Sequence, residues 1–185
     1  RAGNVFGMIG MAIAIATTVA LIYKLRPDTA GNGMMWVLGG VFVGGLIGTI
    51  MAKRVEMTKM PELVAFMHSM IGMAAVLIAI AAVAEPWAFN IGAKGEPIPM
   101  GNRIELFLGT LVGAITFSGS VIAFGKLSGK YKFRLFQGKP VTFTGQHFLN
   151  LVLALATIGC GIWFSSSQQW LPFIAMTALA FLLGV

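Results

Sequence analysis

Residues 63–84 read LVAFMHSMIGMAAVLIAIAAVA, and within this run only His68 is ionisable. A hydrocarbon core of about 30 Å, crossed at 1.5 Å of rise per residue, needs roughly 20 mostly apolar residues. The run meets that length without a proline. It is therefore expected to form a membrane-spanning helix that carries one histidine into the bilayer.

Five further apolar runs flank it, at residues 2–23, 30–52, 106–125, 140–164 and 170–185. The expected fold class is all-α, a polytopic transmembrane bundle of about six spans forming one transmembrane domain over 1–185. The last run would cover only about 24 Å at helical rise and stops among apolar residues, so it reads as a span cut short. The chain opens on Arg1 and its first run is too long for a signal peptide, so both ends read as ends of a fragment of a longer subunit. Turn chemistry separates the runs: Arg26-Pro27-Asp28, Gly31-Asn32-Gly33, Glu96-Pro97-Ile98-Pro99, Gly138-Lys139-Pro140 and the Ser/Gln stretch at 165–169.

Composition agrees with the spans. Hydrophobic residues make up 57% of the chain and charged ones 10%, against roughly 45–50% and about 25% in soluble domains. The mean hydropathy is +0.87. A soluble globule would lack the charge to cover its surface, and a single cysteine, Cys160, excludes a disulfide scaffold.

The net charge of +7 does not require nucleic acid, because lysine and arginine collect in the cytoplasmic loops of membrane proteins. Counted on alternate sides of the spans, one face holds Arg1, Lys53, Arg54, Lys59, Lys126, Lys130, Lys132, Arg134 and Lys139. The other holds only Lys24, Arg26, Lys94 and Arg103. Nine against four places the N-terminus on the cytoplasmic or matrix side. Trp36, Trp87, Trp163 and Trp170 all fall near the opposite ends of spans, at headgroup level. The loop at 126–139, with five cations and no acid, is also a candidate surface for anionic lipid or a soluble domain.

Catalytic inventories are empty. The glycines of 39–48 lie inside a span rather than after a strand, and two histidines with one cysteine do not make a zinc site. Gly40, Gly44 and Gly48, four residues apart, are expected to let another helix approach closely. Thr58, ahead of Met60-Pro61-Glu62, is expected to cap the third helix.

His68 is the informative residue. It lies five residues, about 8 Å, inside the apolar run. An imidazole at that depth can load and release a proton as access changes, or serve as a neutral hydrogen-bonding link between helices. His68, Gly72, Ala75, Ala79 and Ala82 share one face of small residues, which must meet a close neighbour. The next span offers a matching stripe: Glu105, Gly109, Gly113, Thr116 and Ser120. Ser120 comes out at the depth of His68, so hydroxyl and imidazole are candidates to meet. Glu105 is either a proton mouth or an interfacial carboxylate. A third stripe holds His147, Asn150, Ala154, Thr157 and Gly161. His147 is expected near the interface, solvated or headgroup-bonded, and Asn150 and Thr157 are expected as inter-helix hydrogen-bond partners.

Several segments are similar to one family. KRVEMTKMPELVA at 53–65 followed by His68-Ser69, ELFLG at 105–109, GAITFSGSVIAFGKLSGK at 113–130, Gly145-Gln146-His147 and Asn150-Leu151 resemble successive helices of the beta subunit of proton-translocating NAD(P) transhydrogenase. The resemblance covers nearly the whole chain and only part of the family's subunit. It implies a membrane region that conducts protons while separate soluble domains, carrying NAD(H) and NADP(H), pass hydride from NADH to NADP+. It assigns a histidine at the place of His68 to the proton path and, more weakly, implies Glu105 and Ser120 as its polar lining, with Thr116, on the same stripe, a further candidate. The family has a further helix before Arg1, and helices and an NADP(H)-binding domain beyond Val185. The chain alone is thus expected to bind no cofactor and no metal. Its implied partners are the remaining helices and subunits, the nucleotide domains and the lipid bilayer, in a dimeric holoenzyme. The implied location is the bacterial inner (plasma) membrane, with the mitochondrial inner membrane as the alternative. A fragment of a proton-coupled secondary transporter, or a membrane scaffold without an ion path, are the other readings left open.

Overall fold

The computed structural model of the chain describes residues 2–25, 30–129 and 144–185, all of which lie in helices or in the turns that join them. Six α-helices follow in order: α1 (Ala2–Leu25), α2 (Ala30–Arg54), α3 (Met60–Ala84), α4 (Met100–Ser128), α5 (Gln146–Ser167) and α6 (Trp170–Leu183). Short 3-10 turns at Met57–Lys59 and Pro86–Phe89 sit on either side of α3. Five helices are long and apolar enough to cross a membrane. The sixth, α6, has 14 residues and reaches about 21 Å.

Contacts divide the chain into two compact units, Arg1–Val55 and Glu56–Val185. The first holds α1 and α2, whose apolar side chains are almost all exposed. The glycine stripe of α2 does not act as expected within this unit. A Cβ on Gly40, Gly44 or Gly48 would meet nothing within 4 Å. A two-helix unit supplies each helix with one neighbour, and α1 does not lie on that face.

The second unit packs α3, α5 and α6 around α4. Apolar association is not driven by water inside a bilayer, so close packing of small residues must hold such a bundle together. Three glycines provide it. A Cβ on Gly72 would stand 2.6 Å from the Phe117 nitrogen and 2.7 Å from the Gly113 carbonyl, so α3 and α4 touch backbone to backbone. Gly161 of α5 lies under the Phe107 ring of α4, and Gly184, just past α6, lies against Ser118 Oγ and the Ile115 carbonyl. Between these contacts, Ala79, Val83, Phe164, Phe173 and Met176 form one apolar cluster and Val76, Ala114 and Ala180 another.

Two helix starts differ from the sequence reading. α5 begins at Gln146 rather than 140, because Gly145 takes a left-handed conformation (φ 93°) that ends the preceding turn; residues 140–143 lie outside the described residues. Thr58 does not cap α3. It is held in the 3-10 turn, and Lys59 occupies the cap position without a side-chain bond, while Pro61 sits in the first helical turn where no N–H partner is needed.

The connection between α3 and α4 is tied to α5 by Arg103. Its Nε donates to the Ile98 carbonyl at 2.6 Å and its Nη1 to the Ser165 carbonyl at 2.9 Å, near the C-terminal end of α5. The Ile98 N–H in turn donates to Gln168 Oε1 at 3.0 Å, and Ile98 itself is fully buried. A cation at a helix C-terminus also favours the helix dipole. Replacing Arg103 with methionine keeps the stem and removes these charged donors, which should cost about 1.5–3 kcal/mol. Thermal melting of the purified complete protein in detergent checks this, and an unchanged midpoint would show that the tie is not stabilising.

Candidate functional site

Antiparallel α3 and α4 set the register of the polar residues. The Phe66 and Phe124 rings lie 5.6 Å apart, and Gly72 lies against Phe117. Those contacts bracket His68 and Ser120, which therefore lie at one level of the bundle, as the spacing predicts. They do not meet. His68 is exposed, and its Nδ1 lies 2.9 Å from the carbonyl oxygen of Val64 on the same helix. The next residue, Ser69, turns inward instead. It is 2% exposed and donates to the Phe66 carbonyl at 2.6 Å. One step along a helix is a rotation of about 100°. That angle separates the buried neighbour from the exposed one.

The hydroxyls of α4 fall into two groups. Thr110 donates to the Leu106 carbonyl, Ser118 to Ala114 and Ser128 to Gly125, each closing a bond on its own helix. Thr116 and Ser120 do not: among the described residues neither hydroxyl has a hydrogen-bond partner. Thr116 faces a groove of about 410 Å³ along the α3–α4 seam, whose floor is formed by Gly72, Ala75, Gly109 and Gly113. Of the predicted stripe on α4, Gly109, Gly113 and Thr116 line this groove. Glu105, one helical turn before Gly109, is exposed and accepts a hydrogen bond from Asn102 Nδ2 at 3.2 Å. Gly109 meets nothing within 4 Å, which leaves the groove open on that side.

The α5 candidates lie elsewhere. His147 and Asn150 are exposed in the first turns of α5, and among the described residues neither has a hydrogen-bond partner. Thr157 is fully buried, yet its hydroxyl bonds back to the Leu153 carbonyl at 2.7 Å rather than across to another helix. Among the described residues the expected inter-helix bonds of Asn150 and Thr157 are therefore not made. A helical threonine reaches its own i−4 carbonyl more readily than a neighbouring helix. Of the cationic loop at 126–139, Lys130, Lys132, Arg134 and Lys139 lie outside the described residues. Among the described residues no group of three histidine, cysteine or acidic side chains could hold a metal ion.

Spacing alone did not single out Ser69, Ser118 or Arg103. Ser118 is two residues off the stripe and packs toward the end of α6, a contact that exists only in the folded bundle. For Ser69 the available signal was its place beside His68.

A family model described as NAD(P) transhydrogenase beta subunit matches residues 1–185. The chain belongs to that family. The NAD(P) transhydrogenase subunit beta of Rhodospirillum rubrum is 47% identical over 184 residues, which are 100% of this chain and 37% of the relative. A second Rhodospirillum rubrum sequence of the same name gives the same figures. This beta-subunit chain thus spans little more than a third of the length of the curated relatives it matches. With its apolar helices, the family membership makes it a membrane protein. Along the α3–α4 seam of this chain, Thr116 and Ser120 have no hydrogen-bond partner among the described residues.

Proposed function

We propose that the chain is the proton-conducting membrane segment of an NAD(P) transhydrogenase, coupling transmembrane proton movement to hydride transfer from NADH to NADP+ on separate soluble domains. His68 is the proton-exchanging group, and Glu105, Thr116 and Ser120 line the path. The observation that carries this reading is the set of uncommitted polar atoms beside one seam: an exposed imidazole at the level of Ser120, with the Thr116 hydroxyl facing the groove. The groove is otherwise apolar, and the remaining helices of the enzyme close it.

Coupling follows from linkage. If proton occupancy of His68 shifts the cytoplasmic loops that bias NADP(H) binding, nucleotide state must shift His68 occupancy in return. NAD(H) and NADP(H) belong to the partner domains, and the working form is a dimeric holoenzyme in the bacterial inner membrane. The transporter alternative has less support, since its mark is interrupted helices around a midplane site and α3, α4 and α5 are continuous.

Sealed vesicles carrying the complete enzyme test the function. Reduction of NAD+ by NADPH should move protons across the membrane, and a protonophore should abolish the signal. Hydride transfer with no proton signal in tight vesicles would overturn the proposal. Orientation has its own test, in a Cys160→Ala background of the complete enzyme. An impermeant thiol reagent should reach Thr58→Cys only from the cytoplasmic face and Lys94→Cys only from the opposite face. The reverse pattern would invert the topology.

A further inference from the structure

We infer that His68 exchanges protons through Nε2 alone, which makes it a single-atom shuttle and not a relay across the ring; the inference rests on its place in the proton path. Nδ1 lies 2.9 Å from the Val64 carbonyl oxygen. A carbonyl oxygen only accepts, and it is far too weak a base to take a proton from imidazolium, so the hydrogen between them stays on Nδ1 in both charge states. In the neutral ring the lone pair is therefore on Nε2. His68 is exposed, and among the described residues Nε2 has no partner.

The proton balance is simple. An arriving proton forms an Nε2–H bond and gives imidazolium; release breaks that same bond and returns the electron pair to Nε2. Passage through the ring would instead require Nδ1 to give its proton to a base on the Val64 side. Among the described residues no such base is bonded to Nδ1. On α3 no other side chain titrates between Glu62 and Glu85, and on α4 none does between Glu105 and Lys126. α6 carries no ionisable side chain, and α5 offers only His147, near the interface, and Cys160.

A mechanistic consequence follows. With one exchanging atom, a proton cannot enter at one nitrogen and leave at the other in a fixed structure. The surroundings of Nε2 must switch between the two sides for every proton carried, so proton passage is tied to a conformational change. A two-nitrogen relay would conduct without that change and would leak.

The test uses the complete enzyme in bilayers with ¹⁵N-labelled histidine, the His68 signals being assigned by their loss in His68→Gln. Nδ1 should remain a protonated, pyrrole-type nitrogen throughout a pH titration, while Nε2 changes from pyridine-type to protonated as pH falls. A pyridine-type Nδ1 in the neutral ring would overturn the inference. Replacement of His68 by Nε2-methylhistidine gives the functional arm and should abolish proton flux. If flux survives that replacement but is lost in His68→Gln, the single-atom shuttle is wrong and the path through His68 stands. If flux survives both, His68 is not on the path at all.

Discussion

Replacing Gly72 with valine is expected to pull α3 away from α4 and to lower both the stability and the turnover of the complete enzyme. Even a single Cβ at that position would stand 2.6 Å from one backbone atom of α4 and 2.7 Å from another. No side-chain rotation relieves a clash with backbone, so the helices themselves must separate. Overpacking of this kind costs about 1–3 kcal/mol, and the two further methyls of valine push toward the upper end. Separation would also break the register that holds Ser120 level with His68. Gly109→Ala is the matched control, since a Cβ there meets nothing within 4 Å and alanine favours the helix. Melting of the two variants side by side distinguishes them. Equal midpoints would mean that the Gly72–Gly113 contact does not hold the bundle together.

The second large effect is expected at His68. His68→Gln keeps a polar side chain of similar reach but removes the imidazole proposed to exchange the proton, and general acid–base groups contribute on the order of 10²–10⁴-fold to the steps they serve. Coupled turnover should fall by at least about 100-fold. The hydroxyls cannot replace it, because neither Thr116 nor Ser120 takes up a proton near neutral pH. Stability should change little, since the only hydrogen bond lost is to a carbonyl on the same helix. A variant that melts normally yet turns over at the wild-type rate would mean that the imidazole is a bystander.

The spans and the seam were legible in the sequence for physical reasons. A helix that must cross about 30 Å of hydrocarbon leaves a long apolar run, and a backbone contact between helices leaves glycines such as Gly72 and Gly113 at helical spacing. The level match of His68 and Ser120 followed from rise per residue alone. Their failure to meet did not, because the rotation of α3 about its own axis is set by packing. That packing leaves Ser69 buried and His68 exposed. Arg103 read as one more charge on the outer side. Its partners, the carbonyls of Ile98 and Ser165, are main-chain atoms without a sequence signature, and the second is 62 residues away. The uncommitted state of Thr116 and Ser120 was likewise invisible, since serine and threonine look the same in sequence whether or not they bond back to their own helix.

The most direct measurement of the central claim is the number of protons moved per hydride transferred. Both would be recorded together in the same sealed vesicles, for the wild-type enzyme and for His68→Gln. The account predicts that proton flux and hydride transfer collapse together in the variant. An unchanged ratio at an unchanged rate would contradict it, and would move the search for the path to Glu105, Thr116 and Ser120.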